Sequence, residues 1–337
     1  MKLPALYPIK FKPQLKEKVW GGSQLALQLG KEGNENIGES WEISGVKDNV
    51  SVVSNGILKG RSLTELLEQY HEDLLGKSVA ARFGNEFPLL FKFIDAKEDL
   101  SVQLHPDNAV AKERHNSFGK TEMWYVLNGG KGARLILGFN QEMDKATYLK
   151  YLSEGNIIDI LNSEKVTEGD VFFIPPGTVH AIGAGVLLAE IQQTSDITYR
   201  IYDWDRPGTD GKMRELHIDL ALDVIDFGSS NPKIDFSEID NEPVTVCSSV
   251  YFETNSLRLT KNIQRDISKI DSFIVYMCVK GEAIINSEEN SVFSSNALSN
   301  GEQLKKGETL LIPACANHVS FGTKGVTLLE VYVPGNS

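Results

Sequence analysis

The sequence is short of several things, and each shortage closes off a class of protein. It has three cysteines in 337 residues, Cys247, Cys278 and Cys315, odd in number, widely spaced and without a C-x-x-C pair. That excludes a disulfide framework and fits reduced core thiols in a cytoplasmic protein. No run approaches the ~20 apolar residues needed to cross a bilayer. The opening MKLPALYPIKFKPQLKEKVW lacks the apolar core of a signal peptide, so the expected location is the cytoplasm, with no membrane partner. Positive charge is scarce too: 34 Lys and Arg against 46 Asp and Glu leave a net charge of −12. Such a field repels nucleic acid and anionic membrane surfaces, and a small anion would need a local cluster of cations. Gly-rich phosphate loops of the Walker or Rossmann type are missing. A monomer or homodimer is expected.

Turns and short strands fill most of what remains. Runs such as EMWYVLNGGKGARLILGF and FIVYMCVKGEAII alternate apolar stretches with Gly and Asn, the spacing of hairpins rather than of βαβ units. Helical spacing appears in SLTELLEQYHEDLLGKSVAARFG, where Ser62 stands three residues before Glu65 as a capping box, in DKATYLKYLSEGNIIDILN, and more weakly in RELHIDLALDVIDF. An internal repeat sets the organisation. TEGDVFFIPPGTVHAI (167–182) resembles KKGETLLIPACANHVSF (305–321), with Gly169, Pro175 and His180 spaced like Gly307, Pro313 and His318. The chain therefore reads as two related β-barrels. Residues 1–235 form a first, catalytic one with helical insertions, and 236–337 a degenerate second, joined through SSNPKIDFSEIDNEP.

The chemistry concentrates in the first copy. In EDLSVQLHPDNA the alternation puts Ser101, Gln103 and His105 on one face, with Val102 and Leu104 on the other. Glu122 follows in KTEMWYV and His180 in G-x5-P-x-G-x2-H, a pattern that resembles the second motif of cupin (jelly-roll) barrels. Gln103, His105, Glu122 and His180 offer an amide, two imidazoles and a carboxylate, a set suited to Zn2+ with a position left for substrate. Gln103 is either a ligand or a group that orients His105. The second copy is an internal control: no histidine lies between His217 and His318, and the place of Glu122 falls on Phe273 or Ile274. One metal site is expected. His318 reads as a hydrogen-bonded core residue, His71 and His217 as surface or packing residues of helical segments, and His115 as a solvated loop residue or one bordering a cleft.

Cations stand near this set. Lys120 is two residues before Glu122, Asp196, Thr198, Arg200 and Tyr202 alternate in SDITYRIYDWDR, and Lys92 sits inside the apolar PLLFKFIDA. Lys92 is either a snorkelling strand-end lysine or part of the site. With Lys120 and Arg200 it would form a cationic pocket suited to an anionic, hydroxylated substrate.

These segments, with VWGGSQL (19–25), GESWEIS (38–44) and FPLLFKFIDAKEDLSVQLHPDN (87–108), resemble type I mannose-6-phosphate isomerases in their shorter bacterial form, nearly end to end. The resemblance implies a mainly β fold of two cupin barrels and one Zn2+ per chain on Gln103, His105, Glu122 and His180. It also implies the interconversion of mannose 6-phosphate and fructose 6-phosphate, with Arg200 as the active-site arginine and Lys92, Lys120 and Asp196 lining the sugar site. Beside it, the reading expected from the residues is a route through an enediolate, with Arg200, Lys120 and Asp196 catalytic and Lys92, Ser101 and Arg206 binding substrate. IYDWDRPGTDGK stands where longer members carry a T-P-K segment that helps hold phosphate. Arg200, Arg206 and Lys212 are the candidates for that task. Two other readings are a different cupin enzyme, such as a metal-dependent dioxygenase or a glucose-phosphate isomerase, and a sugar-binding regulatory protein without turnover.

Overall fold

Period-two alternation governs the half of the chain that carries the polar residues above. In the computed structural model, which describes residues 3–33, 35–228, 232–288 and 301–335, the fold is mainly β, as expected. Contacts group the chain into two compact units: Leu15–Trp41 with Leu90–Ile234, and Met1–Gln14 with Glu42–Leu89 and Asp235–Ser337.

The first unit is built on two sheets. One has seven strands in the order Gln14–Gly22, Ile37–Ile43, Leu89–Ala96, Val186–Gln193, Glu122–Gly129, Val171–Ile174 and Lys233–Ile234. The other has five: Tyr199–Tyr202, Val102–Leu104, His180–Ile182, Arg134–Phe139 and Leu161–Lys165. Leu135, Leu137 and Ile182 of the five-stranded sheet share one buried cluster with Ile94, Trp124, Val126, Phe172 and Leu188 of the other, so the two sheets pack face to face. The opposite face of the five-stranded sheet carries Val102, Leu104, Ile136, Ala181, Tyr199 and Ile201. Tyr148, Ile157, Ile160 and Ala221 cover it from the helices Lys145–Ser153, Ile157–Ile160 and Ile218–Leu222. Burying each such aliphatic side chain contributes about 1.5–3 kcal/mol. That fixes which residues turn outward, and leaves Gln103, His180 and Arg200 facing inward, between the sheets.

The second unit holds a seven-stranded sheet whose main path runs Pro243–Ser248, Glu253–Leu259, His318–Tyr332, Ile274–Glu288 and Glu302–Lys305, with Ile263–Asp266 and Thr309–Ile312 paired onto it. The capping box is present: Glu65 N donates to Ser62 Oγ, and Ser62 N to the Glu65 carboxylate, opening the helix Leu63–Tyr70. Contacts group this helical stretch with 235–337: Lys77 N and Ser78 N donate to the Asp271 carboxylate, and the Leu74 and Asp73 carbonyls accept from Ala314 N and Cys315 N. The proposed join begins at Ser229–Asn231, which lie outside the described residues.

Strand register makes the internal repeat concrete. Glu122 pairs with Ile174 and Gln192, and Ile274 pairs with Ile312 and Tyr332. Ile274, not Phe273, therefore stands in the place of Glu122. Two positions on, Trp124 faces Glu190 as Tyr276 faces Glu330. In each copy the aromatic donates to the carboxylate: Trp124 Nε1 to Glu190 at 3.0 Å and Tyr276 OH to Glu330 at 2.8 Å. His318 differs from expectation, being half-buried with no hydrogen-bond partner at Nδ1.

Candidate metal centre and its cavity

His105, Glu122 and His180 come from a strand end and two strands, and their side chains meet. All three are about 1% exposed, and their ligand atoms lie within 4.8 Å of one another, the one such group among the described residues. Each histidine is oriented by its far nitrogen. His105 Nδ1 is 2.8 Å from the Ile197 carbonyl and His180 Nδ1 is 2.9 Å from that of Thr178. A carbonyl only accepts, so Nδ1 carries the proton on both rings and each Nε2 presents a lone pair. Those Nε2 atoms lie 3.4 and 3.8 Å from the two oxygens of Glu122. Gly177, at φ +83°, makes the turn that delivers His180. Its N–H donates to the His105 carbonyl at 2.9 Å, and a Cβ there would meet the Val224 carbonyl oxygen at 2.6 Å.

Both Glu122 oxygens and His180 Nε2 are buried without a hydrogen bond. Lys120 Nζ lies 2.7 Å from Glu122 Oε1, close enough for an ion pair but off the angle of a hydrogen bond, and 3.3 Å from His105 Nε2. Orphaned buried acceptors cost free energy unless something cationic meets them. Burial, then the Lys120 ammonium, pushes His105 down to about 3, and burial likewise lowers His180. Burial works against ionised Glu122, but Lys120 and the two imidazoles outweigh it and hold the carboxyl well below its usual range. The donor set is thus two neutral imidazoles and one carboxylate, which fits a divalent metal of borderline softness.

Gln103 is the register partner of both His180 and Arg200, and its Oε1 accepts from Ser101 Oγ at 3.1 Å. Gln103, His180, Ser101, Lys92, Lys120, Asp196 and Arg200 all line one cavity of about 150 Å³. Lys92 is no snorkelling lysine. It is 6% exposed, and its Nζ donates to Glu190 at 2.8 Å and Gln192 at 2.7 Å, with the Trp41 ring 5.2 Å away. Burial alone would depress it, yet Glu190 and Glu39 hold its pKa above the usual lysine value. Glu39 in turn is kept down to about 2, burial notwithstanding, by Lys92 and Lys18. Arg200 is half-buried, its Nη1 donates to the Glu215 carbonyl at 2.9 Å, and its Nε has no partner. The alternation that began at Asp196 breaks after Arg200, where the register shifts, and Tyr202 turns to join the helix-covered cluster.

Two expected residues lie elsewhere. Arg206 pairs with Glu98 and Asp203 and does not line this cavity, and Lys212 is exposed. Arg214 and Lys18, which the sequence did not single out, do line it. Arg214 Nε donates to Asp203 at 2.6 Å and its Nη2 to the second oxygen of the same buried carboxylate. Glu190 and Gln192 also went unread, although VLLAEIQQ carries the same signal as Lys92 did: a charge inside a run that is buried throughout. His115 ends the helix Asn108–His115 and meets Tyr199 OH through Nε2 at 2.8 Å.

Fold and site define a mainly β protein with a buried imidazole–carboxylate centre opening on a cation-rich cavity. Residues 9–128 match the family model for the catalytic domain of type I phosphomannose isomerase. Mannose-6-phosphate isomerase of Streptococcus mutans is 34% identical over 91% of this chain and 92% of its own, and ManA of Bacillus subtilis 36% over 91% and 93%. A crystal structure of Bacillus subtilis mannose 6-phosphate isomerase superposes with a TM-score of 0.84 at 31% identity, covering 97% of this chain and 99% of that one. The chain belongs to the type I mannose-6-phosphate isomerase family, a family of aldose–ketose isomerases.

Proposed function

We propose that this chain interconverts mannose 6-phosphate and fructose 6-phosphate at one Zn2+ held by His105, Glu122, His180 and Gln103, in a cytoplasmic enzyme whose strands 1–235 form a catalytic cupin barrel and 236–337 a degenerate one. The observation that carries the reading is the set of buried, unpartnered acceptors, His180 Nε2 and both Glu122 oxygens, beside a His105 Nε2 met by Lys120 alone, with both tautomers fixed from behind. Bound there, Zn2+ would supply Lewis-acid polarisation of the sugar's oxygens. The protein's own residues do the rest. Isomerisation moves a proton between C2 and C1 and passes through an enediolate, so negative charge develops beside the centre. Lys120, fixed against Glu122, and Arg200, with an unpartnered Nε, stabilise that charge. Asp196, exposed yet lining the cavity, assists ring opening, and Lys92 with Ser101 orients the hydroxyls.

The phosphate falls to Arg200 and Arg214. Burial first, and then the nearby Arg214 charge, lower the pKa of Arg200. Asp203 and Glu215 offset part of that repulsion, and an anion in the cavity that both guanidiniums line would add to the offset. The test is a coupled assay on purified protein, before and after chelation and with Zn2+ restored. Turnover that vanishes on chelation and returns with zinc supports the reading, and inactivity of the folded, zinc-loaded protein overturns it.

A further inference from the structure

Arg200 is gripped by a segment that the chemistry above does not use. Among the described residues, the strand Tyr199–Tyr202 has Val102–Leu104 on one side and no strand on the other. On that free side the Arg200 N–H donates to His217 Nδ1 at 3.1 Å, and the Arg200 carbonyl accepts from His217 N at 2.7 Å. With Glu215 taking the guanidinium through its carbonyl at 2.9 Å, Glu215 and His217 together hold Arg200 at both backbone groups and at its charged head.

We propose that His217 is a positioning residue: its neutral ring completes a surrogate strand partner for Arg200, so that protonating the ring releases the arginine and lowers turnover. The proposal rests on Arg200 acting in the site described above. Nδ1 accepts from Arg200 N–H only while it carries no proton. A proton there removes the bond and sets a second positive charge beside the guanidinium. The groups facing the ring are Tyr199, whose ring centroid is 6.3 Å away, and Arg200 from the edge strand. His115 faces it from the helix Asn108–His115, and the Glu215 carboxylate lies 4.0 Å from Nε2. Burial first and the Arg200 charge second favour the neutral ring, against Glu215. None of these groups is a ligand of the proposed metal.

The experiment compares zinc-loaded wild type with H217A and H217N, following kcat, KM and bound zinc across pH. An asparagine at 217 offers a non-titrating amide oxygen where Nδ1 stands. H217A is expected to lower kcat/KM about ten-fold, the scale of one lost hydrogen bond at a charged group. H217N is expected to restore it near neutrality and to keep activity to lower pH than wild type at equal zinc content. Wild-type kcat/KM and pH profile in H217A, or an acid limb unmoved in H217N, overturns the proposal. If H217A does not fold, the H217N profile decides alone. An inactive wild type would count against the functional reading instead. The 15N shift of the Arg200 amide then tests the latch itself: one that titrates in wild type and not in H217N supports it, and one that never moves overturns it.

Discussion

Lys92 Nζ stands 2.8 Å from Glu190 Oε1, with both side chains no more than 7% exposed. Trp124 Nε1 holds the second Glu190 oxygen at 3.0 Å and Gln192 supplies Lys92 with another acceptor. A buried pair of this kind is stable as a pair and costly to halve. Glu190→Ala should lower unfolding stability by about 3 kcal/mol, because it leaves a buried ammonium with the neutral Gln192 and the Glu39 charge as its remaining partners. The double variant Lys92→Met/Glu190→Gln should lose less than Glu190→Ala alone. Urea unfolding curves of the three proteins check this.

Arg200→Ala should reduce kcat by roughly 10²–10³-fold, the scale for removing one preorganised donor at a developing charge. Bound zinc should stay at its wild-type level, because Arg200 is not among the three clustered ligand residues. Metal analysis beside the assay separates the two effects, and zinc lost together with activity would place Arg200 in the wrong role.

The acid response follows from the imidazoles. His105 and His180 have pKa values lowered in the fold, His105 to about 3 against an ordinary 6.5. The unfolded chain therefore binds more protons across that interval, and stability rises with pH through it. Glu122, also depressed, acts with the same sign below its ordinary 4.5. Metal-free protein should lose thermal stability steadily as pH falls from about 6.5 towards 3, and His105→Ala should flatten part of that slope.

Arg214→Ala should raise the KM for mannose 6-phosphate roughly 10- to 100-fold, the worth of a charge-assisted contact. Any slow turnover of unphosphorylated mannose should change little. Equal losses on both sugars would remove the phosphate from this residue. Asp203→Asn is expected to act in the same direction, since Asp203 is what holds the Arg214 fork.

Gly177→Ala should destabilise the fold by about 1–3 kcal/mol from backbone strain alone, with the overlap against the Val224 carbonyl in addition. The turn is also bonded to His105, so zinc affinity should fall with stability. Calorimetry with and without metal reads both.

How much of this the sequence disclosed depended on where each side chain's partners lie. That His105, Glu122 and His180 meet, with Gln103 on the same face, was legible because period-two alternation and a repeated motif fix strand faces locally. Lys92 was visible as a charge in an apolar run, although only Glu190 and Gln192, about a hundred positions on, decide that it is buried and paired. That Arg214 lines the cavity was hidden because its placement depends on Asp203 and on how the loop between them closes. The grouping of the helical stretch turned on hydrogen bonds to Asp271 and to Ala314 and Cys315, contacts of long sequence separation that no local pattern announces.

Ile274 occupies in the second copy the ladder position that Glu122 holds in the first, with the same two neighbours in register. A ladder bonds through backbone groups alone and is indifferent to which side chain hangs from it. One scaffold therefore carries a charged well in one copy and hydrocarbon filling in the other, with equivalent backbone pairing beneath both. The second copy remains a blank on which a carboxylate and its imidazoles could be written again.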